Sequence, residues 1–161
     1  MNLQETLKNI HDSVITSDSG KVANYIPQLS GVDPNKFGMH LVTIEGDEYG
    51  VGHNDERFSI QSITKVLLLA RAKLEIGSEL KERVGVEPSG DPFNSLVQLE
   101  YERGVPRNPM INAGAIVVCD VLVELLDDPK RDYLNFVRKL AGCETIDFDP
   151  SVAVSESLYG Y

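Results

Sequence analysis

The chain is short of positive charge. Its 161 residues carry 15 Lys and Arg against 25 Asp and Glu, a formal net charge of −10. Nucleic-acid backbones and anionic membrane surfaces are held by clustered Lys and Arg, so this balance argues against both partners. Cysteine is scarce too. Cys119 and Cys143 are too few for a disulfide framework and too far apart for a CxxC pair. Each is expected to be a small buried residue and not a reactive one. No apolar run reaches the roughly 18 residues that a membrane span requires. The longest candidate, residues 111–126, is interrupted by Asp120 and Glu124. The opening Met1-Asn2-Leu3-Gln4-Glu5 has neither the basic start nor the apolar run of a signal peptide. His11, His40 and His53 fall at no ligand spacing such as HExxH, so neither a metal nor another cofactor is expected. Gly46, Gly50 and Gly52 lack the GxGxxG pattern of a phosphate loop and suit a hairpin better. What remains is a reduced, cytoplasmic, globular protein, with one domain expected at this length.

The residues that are present show a change of pattern along the chain. Leu3, Leu7, Ile10 and Val14 recur at helical spacing and predict an amphipathic helix over residues 3–17, stopped at Ser17-Asp18-Ser19-Gly20. Residues 21–29 read as irregular because Pro27 bars a helix interior. Residues 37–44 are rich in strand formers, and residues 48–52 form their antiparallel partner across a glycine-containing turn. From Ser59 onward the pattern is helical. Residues 59–77 form a helix whose stretch 66–70 is almost wholly apolar, so it should be central and buried, with Gly77 ending it. A short polar helix over 78–84 and a loop over 87–92 follow. A second buried helix lies within 108–126, starting near Pro109 or a few residues later. An amphipathic helix marked by Tyr133, Phe136, Val137 and Leu140 ends at Gly142. Residues 147–161 show no clear period. A hairpin alone is marginally stable, so this one should need further strands.

One short motif could carry chemistry. Ser-x-x-Lys occurs twice, as Ser62-Ile63-Thr64-Lys65 and as Ser78-Glu79-Leu80-Lys81. Ser78 follows Gly77 and opens a polar helix, so it reads as an N-cap. Ser59 is the better cap of the other helix, which puts Ser62 in its first turn. There Lys65 shares a helix face with Ser62. First-turn N–H groups lack intrahelical partners and can face an oxyanion, helped by the helix dipole. An apolar wall makes a lysine easier to deprotonate, so Lys65 can act as a base. A nucleophile, a base and half an oxyanion hole therefore fit within four residues. Asn112 lies inside an apolar run and must find partners. Either a structural bond to a loop or a ligand contact would satisfy it. Gln61 could equally be a surface residue.

Longer segments carry a resemblance. Phe58-Ser59-Ile60-Gln61-Ser62-Ile63-Thr64-Lys65 resembles the nucleophile segment of the serine-dependent glutaminases, β-lactamase-like amidohydrolases that convert L-glutamine to L-glutamate and ammonia. Gly20-Lys21-Val22-Ala23-Asn24-Tyr25-Ile26-Pro27-Gln28-Leu29 is similar to that family's N-terminal signature. Glu87-Pro88-Ser89-Gly90, Pro92-Phe93-Asn94-Ser95 and Arg107-Asn108-Pro109-Met110-Ile111-Asn112-Ala113-Gly114-Ala115 resemble later motifs in the same order. Ser155-Glu156 falls where the family has a substrate-binding glutamate.

The resemblance implies an α+β fold of the β-lactamase/transpeptidase type. It also implies an incomplete one: an N-terminal helix and hairpin (1–58), then a nucleophile helix and helical portion (59–161), within one catalytic domain lacking its C-terminal strands. It implies Ser62 as nucleophile and Lys65 as proton acceptor. Tyr25, Gln61, Ser62, Asn112 and Glu156 become substrate contacts, with glutamine as the small-molecule partner and a homo-oligomer, dimer or tetramer, for the full-length protein. The family's chains are about twice as long, so the resemblance implies little or no activity for this chain alone. Two other classes stay open on the residues: another Ser-x-x-Lys hydrolase of the β-lactamase or penicillin-binding type, and a non-catalytic module that binds glutamine or glutamate.

Overall fold

The computed structural model describes residues 2–17, 20–90, 92–95 and 100–159. Asp18 and Ser19 of the expected helix stop, Asp91 of the middle loop, and the terminal Gly160-Tyr161 lie outside the described residues. The fold is α+β, with a two-stranded antiparallel sheet and helices around it in sequence. It divides into two compact units, Met1–Ser59 with Asp149–Tyr161, and Ile60–Phe148. The end of the chain thus clusters with its beginning, an association that a subdivision at residue 58 does not contain.

In the first unit, α1 (Leu3–Val14) starts at Asn2, whose side chain accepts from the Glu5 N–H. That bond satisfies one of the orphan donors of a helix start. The helix buries Leu7 and ends three residues before the expected boundary. Strands β1 (Gly38–Val42) and β2 (Glu48–Gly52) pair with Gly38 opposite Gly52 and Val42 opposite Glu48. The first strand is shorter than predicted because Thr43 already belongs to the turn. Its carbonyl accepts from Gly46 N–H, and its N–H donates to the Asp47 carbonyl. Gly46 has φ +92°, a conformation glycine adopts without a Cβ penalty. Helix α1 lies against β2, where Gln4 Nε2 donates to the Gly50 carbonyl at 3.0 Å and His11 stacks on Phe37.

Residues 21–29 are not wholly irregular. Pro27 opens a single helical turn, α2 (Pro27–Ser30), at the position where a missing N–H does no harm. The tail also holds a helix that periodicity missed, α7 (Pro150–Tyr159). Its signal was local. Asp149 Oδ1 accepts from Ser151 N–H and Val152 N–H, and Pro150 follows at the first helical position. Helices α2 and α7 pack together, and Gln28 Nε2 donates to the Ser151 carbonyl at 3.1 Å.

The second unit is helical among its described residues. A 3-10 turn over Gln61–Ile63 leads into α3 (Thr64–Ile76), and another over Gly77–Glu79 leads into α4 (Leu80–Arg83). After a long irregular stretch come α5 (Asn112–Leu125) and α6 (Pro129–Ala141). Its core joins Ala72, Leu80, Val84, Val118, Val121 and Leu122. Burying each of the larger ones contributes about 1.5–3 kcal/mol. Helix α6 is capped by Asp128 at one end and by left-handed Gly142 at the other, the end that its sequence predicted.

Several expectations are corrected here. Ser59 does not hold the cap position of the nucleophile helix: Ile60 and Ile63 occupy the cap positions of the turn and of α3, and neither makes a side-chain cap bond. Ser78 does not cap either, because it lies inside the 3-10 turn and Glu79 holds the cap position of α4. Tight i→i+3 turns supply backbone partners at both places. The stretch 66–70 is only partly covered, with Val66 56% exposed, and the one buried residue of α3 is Ala72. Cys119 is exposed and Cys143 half-buried, because α5 turns Val118, Val121 and Leu122, and not Cys119, to the core. No described helix is long and apolar enough to cross a membrane.

Candidate active site

The expected residues fall into two groups, one in each unit. In the second unit, Ser62 sits in the middle of the turn Gln61–Ile63 and is exposed. The residue before it, Gln61, has φ +44°. A non-glycine residue in that region stores strain of about 1–3 kcal/mol and persists only where its surroundings hold it. Lys65 is half-buried one residue into α3. Its Nζ donates to Asn112 Oδ1 at 2.6 Å and to the Met110 carbonyl at 3.1 Å. The Phe93 ring lies 5.9 Å from the same nitrogen. No hydrogen bond joins the Ser62 hydroxyl to Lys65 in this resting arrangement.

Burial pushes the Lys65 ammonium below the ordinary lysine value. The two acceptors have a further consequence. A neutral amine has two N–H bonds and one lone pair. With both N–H groups donated to Asn112 and Met110, the lone pair is left to receive a proton.

The loop that carries those acceptors is rigidly built. Asn108 Oδ1 accepts from Met110 N–H and Ile111 N–H, and its Nδ2 donates to the Glu87 carbonyl. Gly85 N–H and Glu87 N–H donate to the Pro106 and Arg107 carbonyls, tying the two loop segments together. Asn112 N–H donates to the Phe93 carbonyl at 2.8 Å. The start of α5 passes so close to this loop that a Cβ on Gly114 would stand 1.9 Å from the Asn108 carbonyl oxygen.

The other group is a pair in the first unit. Tyr25, 50% exposed and just before α2, donates its hydroxyl hydrogen to Glu156 Oε1 on α7 at 3.1 Å. Desolvation, with the Glu156 carboxylate adding to it, holds the Tyr25 phenol above its ordinary value. Gln61 lies in the second unit, has an interaction of its own and is half-buried.

The order of these segments and their geometry have counterparts among known proteins. The family model named Glutaminase matches residues 20–161. The chain belongs to the glutaminase family. A glutaminase of Christiangramia forsetii is 52% identical over 162 residues, covering 100% of this chain and 53% of its own. A glutaminase of Saccharophagus degradans is 55% identical over 144 residues, covering 89% of this chain and 47% of its own. The crystal structure of Mglu in its glutamate form superposes with a TM-score of 0.86 at 32% identity, covering 98% of this chain and 36% of that one. The chain spans about half the length of the curated relatives it matches.

For this glutaminase-family chain, sequence reasoning named Lys65 and Asn112 but not the bond between them. It also missed the Met110 carbonyl, although Met110 stands in the segment 107–115. In the sequence Phe93 stands only as part of a loop motif, and Thr64 only between Ser62 and Lys65. Tyr133 was read as one apolar position of a helix. A backbone acceptor has no residue-type signal, and a ring 28 positions away becomes a neighbour only through tertiary packing.

Proposed function

We propose that this chain carries the nucleophile-bearing part of an enzyme that hydrolyses L-glutamine to L-glutamate and ammonia. The observation that carries the reading is the seating of Lys65. Its amine is half-buried, lowered in basicity and engaged by two acceptors, three residues after an exposed serine in a strained turn.

In the proposed reaction the Ser62 hydroxyl oxygen attacks the side-chain amide carbon, and Lys65 Nζ takes the hydroxyl proton. The Ser62 backbone N–H is assigned to the developing oxyanion. Collapse of the tetrahedral adduct breaks the C–N bond. Lys65 returns its proton to the leaving nitrogen, and ammonia departs. Water then attacks the ester carbonyl and gives a proton to Lys65; collapse of this second adduct breaks the ester C–O bond, Lys65 returns the proton to Ser62 Oγ, and glutamate departs. Asn112 does two things in this reading. It holds Lys65 through Oδ1, and its NH₂ remains available to a substrate carboxylate. Gln61 and Tyr25 are assigned as further substrate contacts, and the Glu156 carboxylate suits the α-ammonium of an amino acid. The proposal extends to a cytoplasmic setting and to a dimer or tetramer in a protein twice this length, with little turnover by the 161 residues alone.

Ammonia release from L-glutamine tests the reading. It is measured for this chain and for a version lengthened by the sequence that follows in a relative. Turnover in the lengthened protein, abolished by Ser62→Ala, is expected. Ser62 is exposed and its hydroxyl makes no hydrogen bond among the described residues, so its replacement should leave stability within about 0.5 kcal/mol. Full turnover in the Ser62→Ala variant would overturn the assignment of the nucleophile.

A further inference from the structure

We propose that Tyr133 is a positioning residue for the nucleophile turn, acting through Thr64 to fix Ser62 and Lys65 relative to each other. The inference deepens the hydrolase reading above and rests on it. Thr64 is the first residue of α3, two after Ser62 and one before Lys65. The Tyr133 hydroxyl on α6 donates to the Thr64 carbonyl at 3.3 Å, and the Thr64 hydroxyl also bonds the Tyr133 oxygen. A phenol has a single hydrogen. With that hydrogen on the carbonyl, the threonine hydroxyl must donate back to the phenol oxygen. The contact is therefore reciprocal, and it grips both the backbone and the side chain of one residue.

The latch is firmly mounted. Tyr133 follows Asp132, whose Oδ1 accepts from Arg71 Nε at 2.6 Å. Arg71 also pairs with Glu75 and lies over the Phe136 ring. Helix α6 is thus tied to α3 at a second place, farther along α3. Burial raises the Tyr133 phenol above its ordinary value, so the hydroxyl keeps its hydrogen across the neutral range. On the other side of Ser62 stands Gln61 with φ +44°. Such a backbone needs surroundings that over-determine it. The Thr64–Tyr133 pair supplies that restraint from the helix side. None of the hydrogen bonds of Tyr133 reaches Ser62 or Lys65, so its effect must pass through Thr64.

The test uses the chain as it stands, with Tyr133→Phe, Thr64→Val and the double variant. Two readouts are followed: amide exchange of residues 60–66, and the labelling rate of Ser62 by a fluorophosphonate probe, read by intact mass. Exchange of residues 118–122, in the core of the second unit, reports whether that unit remains folded. The expected result is faster exchange confined to 60–66, together with labelling slowed about tenfold to a hundredfold. The double variant should match Tyr133→Phe, which removes both bonds, while Thr64→Val alone keeps the bond to the Thr64 carbonyl and should have the smaller effect. Unchanged exchange at 60–66 in both single variants overturns the latch, and so does additive loss. Loss of protection spread equally through 118–122 overturns it as well, because that is plain helix packing. A wild-type protein that the probe labels neither as this chain nor in the lengthened form, with exchange responding as expected, overturns the hydrolase reading and leaves the latch standing.

Discussion

Replacing Gly114 by alanine strikes the Lys65 site from behind. The added Cβ would stand 1.9 Å from the Asn108 carbonyl oxygen, 2.8 Å from its carbon and 2.9 Å from Pro109 Cα. All three atoms are backbone, so no rotamer change relieves the clash. Reaching the 3.4 Å at which ordinary contact begins asks α5 to retreat by about 1.5 Å. The Asn108 loop resists, because Asn108 is bonded to Met110, Ile111 and Glu87. Overpacking of this kind costs about 1–3 kcal/mol. The helical preference of alanine over glycine offsets at most about 1 kcal/mol of that. The net expectation is a loss of about 1 kcal/mol. Asn112 starts the same helix, and a movement of about 1 Å along its bond takes the 2.6 Å contact with Lys65 to a distance that is no longer a hydrogen bond. Urea unfolding followed by circular dichroism gives the stability. Gly90→Ala, at a site with open space around it, is the control that should be neutral. The reasoning fails if Gly114→Ala unfolds at the same or a higher urea concentration than the unmodified chain.

Other expectations follow from single residues. Burial lowers the Lys65 value, so turnover in an active, lengthened form should rise with pH through a midpoint below the ordinary lysine value of 10.5. Lys65→Arg should abolish turnover, since a guanidinium stays protonated, and an active arginine variant would remove Lys65 from the role of base. Stability carries the same sign: the charged form is penalised on folding, so the Lys65 contribution improves as pH climbs from its folded value toward 10.5. Asp149 shows the opposite behaviour. Its bonds to the Ser151 side chain and the following N–H groups lower its value. Its capping contribution is therefore complete above 3.8 and lost as pH falls through the lower, folded value. Asp149→Ala should fray α7 at neutral pH, and Asp149→Asn should largely preserve it, as read by exchange of residues 151–155. Ser78→Ala should change stability by less than about 0.5 kcal/mol, because Ser78 caps nothing. A larger loss would reinstate a capping role.

Much of the architecture was open to reading because its causes are short-range. The run Pro129 to Gly142 states its own start, face and stop within one helix: Asp128 before Pro129, apolar residues three and four apart, and a left-handed glycine after Ala141. The hairpin announces itself through strand formers flanking Gly46. Where reading failed, two local rules competed. Ser59 and Ser78 have the chemistry of caps, but the tight 3-10 turns put Ile60 and Ile76 at the cap positions instead. Helix α7 was hidden because its residues lack a sharp apolar stripe, while its start signal, Asp149-Pro150, stood in plain view.

By itself, then, the amino-acid order determined the helices and strands that rest on periodicity and capping, and the spacing of Ser62 and Lys65. It also determined the motif order that marks the glutaminase family. Only the tertiary structure decided who meets whom. Lys65 and Asn112 are 47 residues apart, Tyr133 and Thr64 are 69, and Tyr25 and Glu156 are 131. A side chain's local sequence sets its helix face, but not which distant face packs against it. For the two pairs of the second unit that choice is made by the burial of Val118, Val121 and Leu122 in its core and by the absence of a Cβ at Gly114, and for Tyr25 and Glu156 by the packing of α2 on α7. The same packing lowers the basicity of Lys65, because desolvation is a property of the surroundings and not of the residue.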